Sequence, residues 1–297
     1  MNSLNFVPTK QDALGLTASP PTIMACPTAR KVTMQITPQL AQQWLERNTR
    51  NRPLSETTVI AYGLDMLEGR WQYDGAPIRF DTGGNLIDGQ HRLKACIESG
   101  VSFENDVIFD LPPEAMRTID IHRPRTAGHI AHIEGAQNAS CACAVASLIV
   151  LHRRHGIQQL NDPRCQPTKT LIVEAAQSLS GLDGAVVQAR LLGRKLAPPR
   201  VVGFCYYQFA AQNHGLADRF FAELASGLNL MPDNPVYHLR ERLLTDRQAK
   251  AKLPQLDLVA LFFKAWLFYR EKRSLRKLFW KTDGPSPEKF PEIGEAA

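Results

Sequence analysis

The sequence predicts an α+β protein in which a small α/β domain is followed by an all-helical domain. Between residues 31 and 135, short alternating segments are interleaved with short segments of helical period, as expected for strands and helices that share one core. Residues 136–282 show helical periodicity with prolines at the breaks. Residues 1–30, rich in Pro, Thr, Ser and Ala, predict a flexible leader. Residues 283–297 predict an extended tail.

Each element of the α/β domain has a start or stop signal. Strands are predicted where apolar residues alternate or cluster between turn residues, at 31–36, 77–80, 86–88 and 107–111. Helices are predicted after the N-capping residues Thr37, Ser55 and Thr126. Gly69 and Gly100 predict where the second and third helices end.

Helices of the second domain are predicted from apolar faces between Pro and Gly breaks. They cover residues 140–154, 168–179, 184–192, 200–213, 217–226, 237–250 and 256–279. The last segment is the longest apolar-rich one. Its aromatic residues Trp266 and Phe279 are predicted to be core residues rather than platforms for nucleic-acid bases.

Bulk composition excludes several classes of protein. The 297 residues exceed a typical single domain, and 44% hydrophobic with 22% charged residues is ordinary for a soluble globular protein. No apolar run reaches the roughly 18 residues of a membrane helix, and the N-terminus lacks the apolar core of a signal peptide. We therefore expect no membrane partner and a cytoplasmic location. Irregularly spaced cysteines without a Cys-x-x-Cys pair predict buried thiols rather than a zinc site.

The charge is divided unevenly along the chain. Residues 1–135 carry 13 Lys and Arg against 15 Asp and Glu, whereas residues 136–297 carry 22 against 14. A basic domain favours polyanions, and we expect DNA as its partner. The candidate phosphate contacts in this domain are Arg270, Lys272, Arg273, Arg276 and Lys277. The alternative is a solvated basic face without a partner.

The segment Leu86–Ala95 predicts a strand, a tight glycine turn and a helix, which together form a phosphate site. The first N–H groups of a helix lack intrahelical partners and lie at the positive end of its dipole, so they suit an anion. Gly89 allows close approach of the backbone. Gln90, His91 and Arg92 add polar and cationic side chains.

The residues Asp88-Gly89-Gln90-His91-Arg92 resemble the DGQHR-type turn of the ParB/sulfiredoxin superfamily. Segments 48–55, 69–71 and 120–126 resemble the flanking sequence of a phage and mobile-element group within it. The superfamily includes CTP-dependent DNA-partition clamps, an ATP-dependent sulfinic acid reductase and a free-serine kinase, which hold a nucleotide phosphate on this turn. Over residues 31–135, the resemblance implies a ParB/sulfiredoxin-like fold that binds a nucleoside triphosphate.

Two departures narrow what this resemblance implies. Gln90 stands where sulfiredoxins have a catalytic cysteine, which argues against the reductase activity. Gln90-His91-Arg92 stands where ParB clamps have Glu-Arg-Arg, so CTP specificity and clamp closure are not implied. The turn of the serine kinase is closer, but its separate catalytic carboxylate has no counterpart that can be placed here.

Two further segments are candidates for the same nucleotide site. Asn51 and Arg52 precede the second helix, and the resemblance implies that their loop faces the turn and contacts base, ribose or phosphate. Arg125 and Thr126 would supply a guanidinium and a hydroxyl group to the phosphates. The alternatives are a solvated basic loop for the first segment and an ion pair between Asp120 and a neighbouring arginine for the second.

Asp88 and Asp120 are the candidate metal ligands. Mg²⁺ usually binds through one or two carboxylates together with the phosphates of its substrate, so we expect Mg²⁺ to accompany the nucleotide. Asp88 would help to position this ion or orient the turn. The alternative for Asp88 is an Asx turn, in which the carboxylate accepts backbone N–H groups.

The first functional hypothesis is a nucleotide-binding, DNA-associated protein of phage or plasmid type, with the nucleotide as a switch ligand or a substrate for hydrolysis. His91, Arg92 and Asp88 are the candidate catalytic residues, with charge stabilisation of the phosphates as the main effect.

The alternative is a small-molecule or nucleoside kinase, which predicts a closed pocket between the domains. The third hypothesis is a metal-dependent nuclease, which needs several convergent carboxylates. The sequence does not indicate the oligomeric state.

Overall fold

The computed structural model shows a mixed sheet and its helices at the N-terminal end, followed by a bundle of helices. The structure describes residues 29–49, 51–117, 119, 125–193, 195–228, 230–249, 253–281 and 287–294. This arrangement confirms the predicted α+β class. We call residues 30–117 the sheet part and the described residues from 127 onward the helical part.

The sheet has four strands in the described part of the chain: β1 (Arg30–Ile36), β2 (Ile78–Asp81), β3 (Leu86–Asp88) and β4 (Phe103–Leu111). Their order is β1-β4-β2-β3. β4 pairs antiparallel with β1 and parallel with β2, and β3 returns antiparallel on β2. The predicted strands are present, but β4 begins at Phe103, earlier than its apolar run at 107, because it pairs with the whole length of β1.

Three helices belong to the sheet part: α1 (Pro38–Leu45), α2 (Glu56–Leu67) and α3 (Gln90–Ser99). α3 packs against both α1 and α2. The hydroxyls of Thr37 and Ser55 accept backbone N–H groups in the first turns of α1 and α2, which confirms both predicted N-caps. The Trp44 ring packs edge-on against Phe80 at 5.1 Å, which fixes α1 to the sheet.

The helical part contains seven helices in the described residues: α4 (Ala127–Ile133), α5 (Ala139–His155), α6 (Lys169–Ser178), α7 (Leu182–Leu192), α8 (Pro199–Ser226), α9 (Pro235–Gln248) and α10 (Gln255–Arg270). α4 packs on α5 and α6, although its residues fall within the predicted first domain. The two helices predicted at 200–213 and 217–226 form α8, with a break at Asn213, whose φ is −157°.

The core of the helical part is rich in aromatic rings. Trp266 on α10 is fully buried and stacks on Phe209 of α8 at 4.5 Å, which confirms its predicted place in the core. Phe279 is 44% exposed, so its predicted place in the core is wrong. The helix predicted to 279 ends at Arg270, and the chain continues without regular structure through Lys281.

Polar contacts at the C-terminal end of α2 join the two parts. The Thr168 hydroxyl donates to the buried carboxylate of Asp65 at 2.8 Å. Arg154 of α5 donates two hydrogen bonds to Glu68 at 2.8 and 2.9 Å. Arg70, which follows α2 in the sheet part, forms ion pairs with both Asp65 and Glu68. The guanidinium groups of Arg154 and Arg70 lower the pKa of Glu68 to about 2.

Of the helices that the structure describes, none has the length and apolar character to span a bilayer.

Substitution of Glu68 by Gln is expected to remove a pH-dependent contribution to stability. Because the pKa of Glu68 is lowered in the folded state, its contribution is complete above the pKa of the unfolded chain and is lost as the pH falls toward 2. We expect urea unfolding to show a loss of about 1 kcal/mol at pH 6, the upper end for a partly exposed pair, and a loss that shrinks steadily between pH 5 and pH 2.

The matched control is Glu98→Gln, which removes an exposed i,i+4 pair with Lys94 on α3. This variant is expected to change stability by only a few tenths of a kcal/mol. A Glu68→Gln effect that stayed constant from pH 6 to pH 2 would show that the charge of Glu68 does not stabilise the folded state.

Candidate functional site

Gly89 forms the turn between β3 and α3. Its φ is 104°, and among the described residues no side-chain hydrogen bond caps the N-terminus of α3. A Cβ on Gly89 would lie 2.9 Å from Cγ1 of Ile78, so only glycine fits between this turn and β2. The strand, the glycine turn and the helix are therefore present at the predicted residues.

The Gln90 side chain points away from solvent and holds the loop 48–52. Its Nε2 donates to the carbonyl of Arg52 and its Oε1 accepts from Asn48, both at 2.9 Å. Asn51 Nδ2 donates to the carbonyl of Leu86 at 2.7 Å. The loop thus faces the turn, as the sequence predicted. The Arg52 side chain is exposed and forms no hydrogen bond or ion pair with the described residues.

His91 is buried and contacts the beginning of α2. Its Nε2 accepts the backbone N–H of Ser55, the N-cap of α2, at 3.0 Å. An accepting Nε2 requires a neutral ring with the proton on Nδ1. His91, which the sequence suggested as a phosphate donor, therefore holds the beginning of α2 in this structure.

Arg92 and Asp88 are bound to protein groups. The Arg92 guanidinium donates to the carbonyls of Ala76 and Pro77. The Asp88 carboxylate accepts from Arg79 and lies 3.5 Å from Arg92. The alternative Asx turn of Asp88 is not seen among the described residues, because its carboxylate faces guanidinium groups instead. The phosphate contact of Arg92 stays a prediction.

A carboxylate held by two guanidinium groups is a poor Mg²⁺ ligand, because the metal would have to displace them. Asp88 in this arrangement does not fit the predicted metal site, and the second candidate, Asp120, lies outside the described residues. The described ranges contain no group of three or more His, Cys, Asp and Glu side chains that could hold a metal ion.

Arg125 and Thr126 lie directly before the helical part. Arg125 is exposed. The Thr126 hydroxyl accepts the N–H of His129 at 3.2 Å and caps α4, which confirms the predicted cap. The helix that Thr126 caps packs on α5 and α6 of the helical part.

The predicted DNA contacts lie at and beyond the end of α10. The side chains of Lys272, Arg276 and Lys277 are exposed and form no hydrogen bond or ion pair with the described residues. Arg273 pairs with Glu271 at 2.9 Å and lies over the Phe268 ring. Arg270 donates to Gln212 and to the carbonyl of Ile293. All five cations are therefore exposed, and four of them lie beyond α10 on one short segment.

Sequence reasoning missed two polar groups. Arg79 lies directly opposite Asp88 in the pairing of β2 with β3, and only this register brings them together. Asp106 on β4 accepts from Thr33 and Tyr73 and pairs with Lys31. These three groups, Lys31 first, lower the pKa of Asp106 to about 2. Lys31 and Thr33 are two residues apart on β1 and so lie on the same face of the sheet. This spacing was the signal in the sequence that could have indicated a shared polar partner.

Substitution of Gly89 by Ala is expected to destabilise the protein more than substitution of Gly100 by Ala. Both positions have positive φ, but a Cβ on Gly100 has nothing within 4 Å, whereas one on Gly89 overlaps Ile78. We expect losses of about 1–2 kcal/mol for Gly100→Ala and roughly 3 kcal/mol for Gly89→Ala in chemical denaturation. Equal losses would show that the turn has room for a side chain.

Comparison of the chain with models of known families, with curated proteins and with solved structures gives no match. The resemblance of residues 88–92 to the ParB/sulfiredoxin turn therefore stays a prediction from the sequence.

Proposed function

We propose that this chain is a nucleotide-binding, DNA-associated protein of phage or plasmid type, with a ParB/sulfiredoxin-like domain in its sheet part. The observation that carries the proposal is the turn at Gly89. A left-handed glycine, closely packed on β2, leads from β3 into the uncapped N-terminus of α3. Backbone N–H groups at such a terminus suit a phosphate group.

The nucleotide is held by the backbone of the turn and by the exposed cation Arg52 of the neighbouring loop. Arg52 is exposed, and its carbonyl is bound to Gln90 at the start of α3, so its guanidinium can reach the same end of the helix. Gln90, His91 and Arg92 are positioning residues in this proposal, since each bonds to a protein group. No catalytic step is assigned to Asp88.

The nucleotide acts as a switch ligand in this proposal. Gln90 and His91 connect the turn to the loop 48–52 and to the start of α2. The other end of α2 carries the carboxylates that bind Arg154 and Thr168 of the helical part. A ligand at the turn therefore lies at one end of a helix whose other end contacts the DNA-associated part.

The exposed cations beyond α10 supply the DNA contact. Lys272, Arg273, Arg276 and Lys277 lie within six residues on an irregular segment. Contacts of this kind neutralise phosphates, and they bind duplexes without reading the base sequence.

Calorimetry with ATP, CTP or GTP and Mg²⁺ tests the nucleotide site. We expect the wild type to bind at least one of them, and Arg52→Ala to weaken binding about tenfold or more, because a charge-assisted contact is lost. Hydrogen exchange is expected to slow in residues 89–92 when the nucleotide binds.

The matched control is Lys94→Ala, which removes the same charge from α3 one turn away from the phosphate site. It should leave the nucleotide affinity unchanged. If the wild type bound no nucleotide, or if binding left the exchange of residues 89–92 unchanged, the turn would not be the site.

Fluorescence anisotropy with a 20-base-pair duplex tests the DNA contact. We expect Arg276→Ala with Lys277→Ala to weaken binding on every duplex sequence and to reduce the slope of log K against log salt by about 2. The control double variant is Lys169→Ala with Arg190→Ala, which removes the same charge from two exposed positions on α6 and α7. Equal weakening by both pairs would mean that net charge, rather than this segment, determines the affinity.

A further inference from the structure

The C-terminal residues 287–294, which we call the strap, fold back along the basic segment 271–281. The backbone N–H of Glu288 donates to the carbonyl of Lys281 at 2.8 Å. The Phe290 ring packs edge-on against Trp280 at 5.5 Å. Arg270 donates to the carbonyl of Ile293 at 3.1 Å. The strap therefore runs antiparallel to the segment that carries the proposed DNA contacts.

Specific contacts hold the strap in place. Gln212, beside the break in α8, donates to the carbonyls of Ile293 and Gly294. Lys264 of α10 pairs with both oxygens of Glu288 at 2.7 and 3.0 Å. The Ile293 side chain is 8% exposed and belongs to the core of the helical part. These contacts make the strap a docked element of the fold.

The strap and the segment beneath it have opposite charges. The strap has a side-chain charge of −1, from Glu288, Glu292 and Lys289. Residues 271–281 have a side-chain charge of +4, from five cations and Glu271. The docked strap occupies Lys264 and Arg270 and holds Glu288 beside the carbonyl of Phe279, which binds the same Lys264 amine, while Glu292 is exposed on the strap. A phosphate that approaches this segment therefore meets carboxylates as well as cations.

We propose that the strap is an autoinhibitory element that competes with DNA for this basic surface, an inference that rests on the proposed DNA-binding function. With the strap docked, its carboxylates oppose the phosphates and two cations are engaged. With the strap released, Lys264 and Arg270 join the exposed cations in one continuous basic surface. Docking of the strap and binding of DNA are linked equilibria. Bound DNA must therefore promote release of the strap to the same extent that release promotes DNA binding.

The first test removes the negative charge of the strap and keeps its apolar anchors. Glu288→Gln with Glu292→Gln is expected to tighten binding of a 20-base-pair duplex about fivefold in 50 mM salt, with a smaller gain in 200 mM salt. The matched control is Glu174→Gln with Asp183→Asn, which removes two exposed carboxylates from α6 and α7. The gain in affinity for the duplex should be clearly larger for the strap variant than for the control variant.

The second test releases the strap and keeps its charge. Phe290→Ala removes the ring that packs against Trp280 and Phe263. We expect faster hydrogen exchange at residues 288–294 and a severalfold gain in DNA affinity. The linkage between DNA binding and strap release gives a third measurement. DNA added to the wild type should accelerate hydrogen exchange at residues 288–294.

The outcomes separate this inference from the proposed function. If the wild type binds DNA, but the strap variant and the control tighten binding equally and DNA leaves the exchange of 288–294 unchanged, the autoinhibition is wrong and the DNA contact stands. If neither the wild type nor any variant binds the duplex, the DNA contact is wrong and the autoinhibition with it.

Discussion

The contact between the sheet part and the helical part depends on carboxylates at the C-terminal end of α2. Asp65 is 8% exposed, and such a buried carboxylate needs partners for its charge. Arg70 and the Thr168 hydroxyl supply them. The same hydroxyl accepts the N–H of Leu171 and caps α6, so one side chain determines both where α6 begins and where it meets α2. Loss of Arg70 would leave the Asp65 carboxylate with the neutral Thr168 hydroxyl as its partner from the helical part.

The turn at Gly89 is held in place by three side chains that the sequence suggested as ligand contacts. Gln90, His91 and Arg92 each bond to a different backbone segment, namely the loop 48–52, the start of α2 and residues 76–77. These bonds fix the turn in one arrangement. In the proposed function the backbone of the turn binds the ligand, and a preorganised site loses less entropy when it binds.

Local signals in the sequence predicted the local parts of this fold. The caps of α1 and α2 and the glycine turn follow from residue types a few positions apart, because their hydrogen bonds close within one helical turn. Contacts that depend on register or tertiary packing could not be predicted. The ion pair of Arg79 with Asp88 exists because β3 pairs with β2 at that register. Phe279 is exposed because α10 ends at Arg270, before the apolar pattern does.

The two ends of α2 are held unequally, and this limits any coupling between the turn and the helical part. At the start of α2, the turn contributes a hydrogen bond from the backbone of Ser55 to His91. At the other end, Asp65 and Glu68 make several charge-assisted bonds. A ligand that displaced His91 would act on the weaker end, where a neutral hydrogen bond contributes about 0.5–1.5 kcal/mol. Coupling through this bond alone can change an affinity by about tenfold at most. A larger effect would require the loop 48–52 to move together with α2.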